Sequence, residues 1–248
     1  MNEKELFRRI GGLDDDLIAE AANHRRVPVR RLAAAACAVL IVAASMGMYR
    51  AQQRTPFALE HSTGDVSVEV VSELPEYGES ACLAYMTEEE LVTDSQTDIM
   101  RGTVTDIQNV LVSCGDWSGY RAVIEVKTDY VYRTYSGCKA GDTVCLLAPG
   151  PIRMETQSMS GLDTVRQIEV GMEGIFMGRP YGENDVEEQD GSRLYWMDVA
   201  RYGLPDGIRY AFLQTDSGLL FDRDAYPSFS DAQTLDEVAE GLEKLISP

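Results

Sequence analysis

One stretch of the chain is apolar throughout, and most of the rest alternates. Leu32 to Tyr49 is an unbroken run of 18 uncharged, mostly apolar residues. As a helix it would reach about 27 Å, which predicts a single transmembrane helix over 32–49. Before it, residues 1–24 form two short amphipathic turns. Asn2 and Glu5 cap the first, whose apolar face is Leu6, Phe7 and Ile10, and Gly11-Gly12 breaks it. Asp14 to Asp16 cap the second, which carries Leu17, Ile18 and Ala21. Residues 50–85 mix acids, polar residues and Pro56 and Pro75, the pattern of a stalk or linker. Thr87 and Glu90 then make a capping box for a short helix.

From Met100 the period changes to two. GTVTDIQNVLV leads into RAVIEVKTDYVYR, where Ala122, Ile124 and Val126 share one face. DTVCLLAP, TVRQIEVGMEGIFMG, SRLYWMDVA, IRYAFLQT and Leu219 to Phe221 follow, separated by turn signals such as Asp190-Gly191 and Asp206-Gly207. Six or seven such strands predict a closed antiparallel barrel. A final helix is capped by Thr234 and Glu237, and its stripe is Leu235, Val238, Leu242, Leu245 and Ile246. The expected fold is mainly β with flanking α. Its divisions are a cytoplasmic segment (1–31), the span (32–49), a stalk (50–85) and an outer barrel with its C-terminal helix (86–248).

Charge orients this arrangement. Arg25, Arg26, Arg30 and Arg31 precede the span, and Arg50 and Arg54 follow it, so the positive-inside rule places residues 1–31 in the cytoplasm. A cleaved signal peptide would carry its charges near the start rather than after some thirty residues. The span itself would contact membrane lipid. Residues 1–31 hold seven basic and six acidic side chains, whereas residues 50–248 hold 15 and 35. A net charge of -19 argues against a nucleic-acid partner, which needs clustered Lys and Arg.

Candidate chemistry is sparse. The two histidines, His24 and His61, both precede the strands, so no Ser-His-Asp or Cys-His nucleophile is expected in the outer domain and the chain does not read as an enzyme. No phosphate-cradling glycine motif occurs, and no cofactor or metal site is expected. Gly182 to Gly191, GENDVEEQDG, lacks the spacing of a calcium loop and reads as a solvated hairpin loop. Cys82, Cys114, Cys138 and Cys145 are disulfide candidates: Cys138 with Cys145 across the Gly141-Asp142 turn, or Cys114 with Cys138, with free buried thiols as the alternative. Trp117, Tyr120, Tyr130, Tyr132, Tyr135 and Tyr181 lie near strand ends. They suit either a ligand-facing surface or cross-strand packing.

Two resemblances follow from these residues. Ile10-Gly11-Gly12-Leu13-Asp14-Asp15-Asp16-Leu17-Ile18, with basic residues and one anchor behind it, resembles the start of single-pass membrane proteins of clostridial-type Gram-positive bacteria. These are regarded as anti-sigma-like regulators. The resemblance covers about a tenth of the chain and implies a cytoplasmic sigma factor as partner of Leu6, Phe7, Ile10, Leu17 and Ile18. The His and Cys pattern of a zinc-type anti-sigma domain is missing. Residues 100–180, with the Gly141-Asp142 turn before the third strand and Gly171 to Gly174 after it, resemble the OB-like barrel of netrin-type and bacterial surface domains. That resemblance implies a fold and no catalytic residues. Taken with the anchor, the expected role is an envelope-sensing or anti-sigma-like regulator. The alternative is a membrane-tethered extracellular binding module whose ligand the sequence leaves open.

Overall fold

The computed structural model describes residues 57–72, 84–94, 96–152, 164, 167–207 and 209–247. The span over 32–49, the partner-binding residues Leu6, Phe7, Ile10, Leu17 and Ile18, and Cys82 all lie outside them. The described residues belong to one unit, Pro56–Pro248. Among them no helix is long and apolar enough to cross a membrane.

Two 17-residue strands, β2 (Asp98–Cys114) and β3 (Trp117–Arg133), form the backbone of the sheet. Their valines, isoleucines and threonines suit a pleated surface. Register shifts at Ile99/Met100, Arg101/Gly102 and Val104/Asp106 interrupt the pairing of β2 with β3. Bulges of this kind bend a strand and raise its twist, and they fall in the half of β2 that also pairs with β5. The other strands are β1 (Val66–Val70), β4 (Thr143–Ala148), β5 (Glu173–Pro180), β6 (Val186–Gln189), β7 (Ser192–Tyr195), β8 (Tyr202–Gly203), β9 (Ala211–Thr215) and β10 (Gly218–Leu220). Pairings run from β2 to β3, β4, β8 and β5, and β5 returns to β2 through Asp98↔Gly178 to Thr103↔Glu173. The ring therefore closes. β1 extends the far end of β2, and β9 and β10 continue from β5.

The sheet is mixed rather than wholly antiparallel, because β4 and β8 run parallel through Leu146↔Tyr202 and Leu147↔Gly203. A parallel neighbour needs a crossover, and the chain between β4 and β8 supplies it. That crossover holds β5 and a separate hairpin, β6–β7.

Ala122, Ile124 and Val126 are fully buried on one face of β3, as their alternation requires, with Val144 and Leu146 of β4 in the same core. Helix α1 (Leu235–Ile246) closes that core with Leu235, Val238 and Leu242. The Thr234 side chain accepts from Glu237 N–H at 3.3 Å, and Glu237 reaches back to Gln233 N–H at 2.6 Å. The opposite face of β3 and β4 is also covered. Val123 and Leu147, paired across the strands, join Val110, Val112, Leu194 and Val199 in a second cluster.

Part of the predicted stalk helps to build that second cluster. Phe57, Val66 and Val68 pack against it, and β1 pairs with β2 from Val66↔Cys114 to Val70↔Val110. Residues 57–72 are thus a strap laid on the domain. The short VSVEV alternation half-buries Val66 and Val68 there and leaves Val70 exposed, although polar residues surround it. The predicted loop at 182–191 is likewise half strand: Asp190 and Gly191 both adopt positive φ, the geometry of a two-residue hairpin turn, and Val186–Gln189 pairs with β7.

Candidate functional site

The β5 exit and the crossover hairpin meet on the outer face of β3 and β4. Tyr181 follows β5 directly, and Trp196 opens a single helical turn after β7. Trp196 N–H donates to the Asp185 carbonyl at 3.1 Å, which fixes that turn against the Gly182–Asp185 bend. Tyr181 stacks on Trp196 at 6.3 Å, and Trp117 meets Trp196 edge-on at 6.0 Å. Arg121 lies over Trp117 and Arg179 over Tyr181, each 5.6 Å from the ring centre. Such pairs are the favoured geometries of aromatic and cation–π contact.

These side chains border a cavity of about 310 Å³. Leu147, Ala148 and Leu204 are its buried lining, and Pro149 and Pro205 stand at its edge. Among the described residues, its two charged ones are both arginines. Arg179 is already paired with Asp185 at 2.8 Å. Arg121 donates one Nη1 bond, 2.8 Å to the Tyr120 carbonyl, and no carboxylate pairs with it among the described residues. Gly203 is what lets Tyr181 lie there: a Cβ on that residue would overlap the Tyr181 hydroxyl. Burial pushes the Tyr181 phenol up, so it stays neutral.

Two residues beyond Trp196, the same turn carries Asp198, which holds the strap. Its carboxylate accepts from His61 N–H at 3.0 Å, Ser62 N–H at 2.8 Å and Ser62 Oγ at 2.6 Å, and it bonds His61 Nδ1 at 2.7 Å. Burial pushes the Asp198 carboxyl up, but Ser62 and His61 outweigh it and leave the group below its ordinary value. The same bond raises the exposed His61 imidazole. The expectation that both histidines stay away from the strand domain fails at His61. Serine, histidine and aspartate do come together, but both partners bond the one carboxylate. Ser62 gives its proton to Asp198, so the group is a clasp and supplies no activated nucleophile.

A third polar group sits where the ring closes. Asp98, fully buried, accepts from Tyr135 N–H at 2.6 Å, Ser136 Oγ at 2.6 Å, Thr134 Oγ1 at 2.8 Å and Tyr202 Oη at 2.9 Å. It binds the β3–β4 loop and β8 to the start of β2. Every contact to it comes from a donor, as a buried carboxylate requires.

No protein-family model, curated protein or solved structure matches the chain. The arrangement therefore stands on its own geometry.

Of the residues picked from sequence, Trp117 and Tyr181 are brought together, whereas Tyr130 and Tyr132 contact each other at 4.8 Å and Tyr135 lies under Arg133. Cys114, Cys138 and Cys145 are free thiols, so the Cys138–Cys145 and Cys114–Cys138 pairings are not formed. Cys138 belongs to the main core, while Cys114 and Cys145 belong to the outer cluster. No group of three or more potential metal ligands occurs among the described residues. Sequence reading missed Arg121, Arg179, Trp196, His61 and Asp198. They meet only through strand pairing and the crossover, with His61 and Asp198 137 positions apart.

Proposed function

We propose that the chain is a single-pass membrane protein whose outer domain is an OB-like barrel acting as a ligand-binding module. The barrel reading is supported by the ring order β2-β3-β4-β8-β5: counted along the chain, the first ring strand (β2) pairs with the second (β3) and fourth (β5), and the third (β4) runs parallel to the fifth (β8). The observation that carries the binding role is the cavity bordered by Arg121, Arg179, Tyr181 and Trp196, which gathers two cations and, among the described residues, no acid in a strongly acidic chain. Apolar walls with a few placed polar groups are the usual make-up of a ligand site. The anchor rests on Leu32 to Tyr49 and the arginines before it. The strap then joins the domain at Ser62, some dozen residues beyond that span. Protease added to intact protoplasts should remove residues 50–248 and leave a small membrane-bound stub. A protected C-terminal domain would refute the topology.

A second reading makes the module an anti-sigma-like or envelope-sensing regulator. It is favoured by the Ile10 to Ile18 segment, with a cytoplasmic sigma factor held by Leu6, Phe7, Ile10, Leu17 and Ile18. Those apolar faces are too short to bury themselves. Replacing Phe7 and Ile18 with Ser should then raise transcription from the sigma factor's own promoter. Unchanged reporter output leaves the tethered binding module alone.

A further inference from the structure

The cavity between β4, the β5 exit and the Trp196 turn differs in chemistry from its neighbours. A larger one, about 750 Å³, is bordered by Glu169, Glu173 and Asp216. Another, about 430 Å³, shares Arg179 and Tyr181 but adds Glu183 and Asp185. At about 310 Å³ the arginine cavity carries no carboxylate among the described residues and is mostly apolar in its lining. We infer that it binds a small organic carboxylate bearing one planar apolar ring, with Arg121 receiving the carboxylate and Trp196 and Tyr181 bordering the ring.

The assignment follows from what each side chain has left to give. A guanidinium carries five N–H donors in a planar fork, matched to the two oxygens of a carboxylate. Arg179 spends part of its fork on Asp185. Arg121 uses one donor on a backbone carbonyl and has its face covered by Trp117, which holds the group in place and leaves the rest of its fork without an acidic partner among the described residues. Arg121 is half-buried beside buried Leu147 and Ala148, so water screens it only in part and an anion placed there is attracted more strongly than at an open surface. The apolar lining and the Tyr181–Trp196 stack favour a flat apolar body over a sugar or a bare inorganic anion. The volume lies at the small end of the range for ligand sites, about 300–1,000 Å³, so one ring fits and a chain of rings does not.

The inference rests on reading the outer domain as a binding module, and the test separates the two. Both tryptophans of the chain, Trp117 and Trp196, border the site or touch its border, so intrinsic emission reports on it directly. Full-length protein in detergent micelles is titrated with phenylacetate, with its uncharged isostere phenylacetamide, and with acetate. Saturable quenching or shift is expected with phenylacetate, at least about tenfold tighter than with either other probe. Arg121→Met keeps a long flexible apolar stem but removes the fork. It should weaken phenylacetate about tenfold or more and leave phenylacetamide unchanged, with circular dichroism showing the fold retained. Equal affinity for phenylacetate and phenylacetamide on the unaltered protein overturns the carboxylate assignment and needs no variant. It would leave a module that takes neutral apolar groups. No saturable response to any of the three probes overturns both the assignment and the place of this cavity in the binding role.

Discussion

Asp98 shows how a single side chain can hold together parts of the chain that local pattern does not connect. Burial pushes its carboxyl up, but Ser136 Oγ, the Tyr135 N–H, Thr134 and Tyr202 outweigh burial and hold it below the ordinary carboxylate value. A lowered folded-state value means the contribution is present above the unfolded value of about 3.9 and is lost as pH falls through the folded one. Asp98→Asn should cost about 2–4 kcal/mol at neutral pH, because its amide turns donors toward donors. It should also flatten the acid limb of stability, both effects read from urea melts between pH 2 and 7. Unaltered melts would show that the hydroxyls around it do not depend on the charge. Nothing in the sequence marks this aspartate among the acids of residues 50–248. Its character comes from Ser136 and Tyr202, 38 and 104 positions away.

Among elements, β3 and the C-terminal helix were legible because their periods are long and one face of each meets the core. Ala122, Ile124, Val126, Leu235, Val238 and Leu242 all lie where the pattern put them. The strand expected over Thr164 to Gly178 begins only at Glu173, because Met172 N–H bonds the Glu169 carbonyl in a turn where Gly171 takes a positive φ. β8 is two residues long and exists through its neighbours on both edges, so no alternation announces it. β1 was hidden by its polar surroundings and is held partly by the Asp198 clasp. His61 there is raised chiefly by its bond to Asp198, so its hold on the strap is complete below the unfolded value of about 6.5 and is lost as pH rises through the folded value. Amide exchange over residues 61–70, corrected for intrinsic rates, should accelerate from pH 6 to pH 9, and His61→Asn should remove that pH dependence. A strap equally protected at both values would show that β1 pairing alone retains it.

At the scale of the molecule, the mainly β class, the long strands and the terminal helix could be read from sequence, whereas β8, which the ring needs, and the candidate site could not. A sheet face that reads as polar at Arg121 and Glu125 is partly covered by a hairpin and a strap, and periodicity does not report what covers a face. The strap also sets where the domain begins. A fragment of residues 56–248 should melt as that unit of the full chain does, while one of residues 98–248 should melt well below it. The shorter fragment uncovers Val110 and Val112 and removes Leu91 and Val92 from the main core. Equal melting of the two would reduce the strap to decoration. One three-residue turn, Trp196–Asp198, serves as a wall of the arginine cavity and as the cleat for the incoming chain. A pull on that chain is therefore a load on the cavity wall. By thermodynamic reciprocity, a ligand that binds better when the turn is held must strengthen, by the same free energy, the turn's hold on His61 and Ser62.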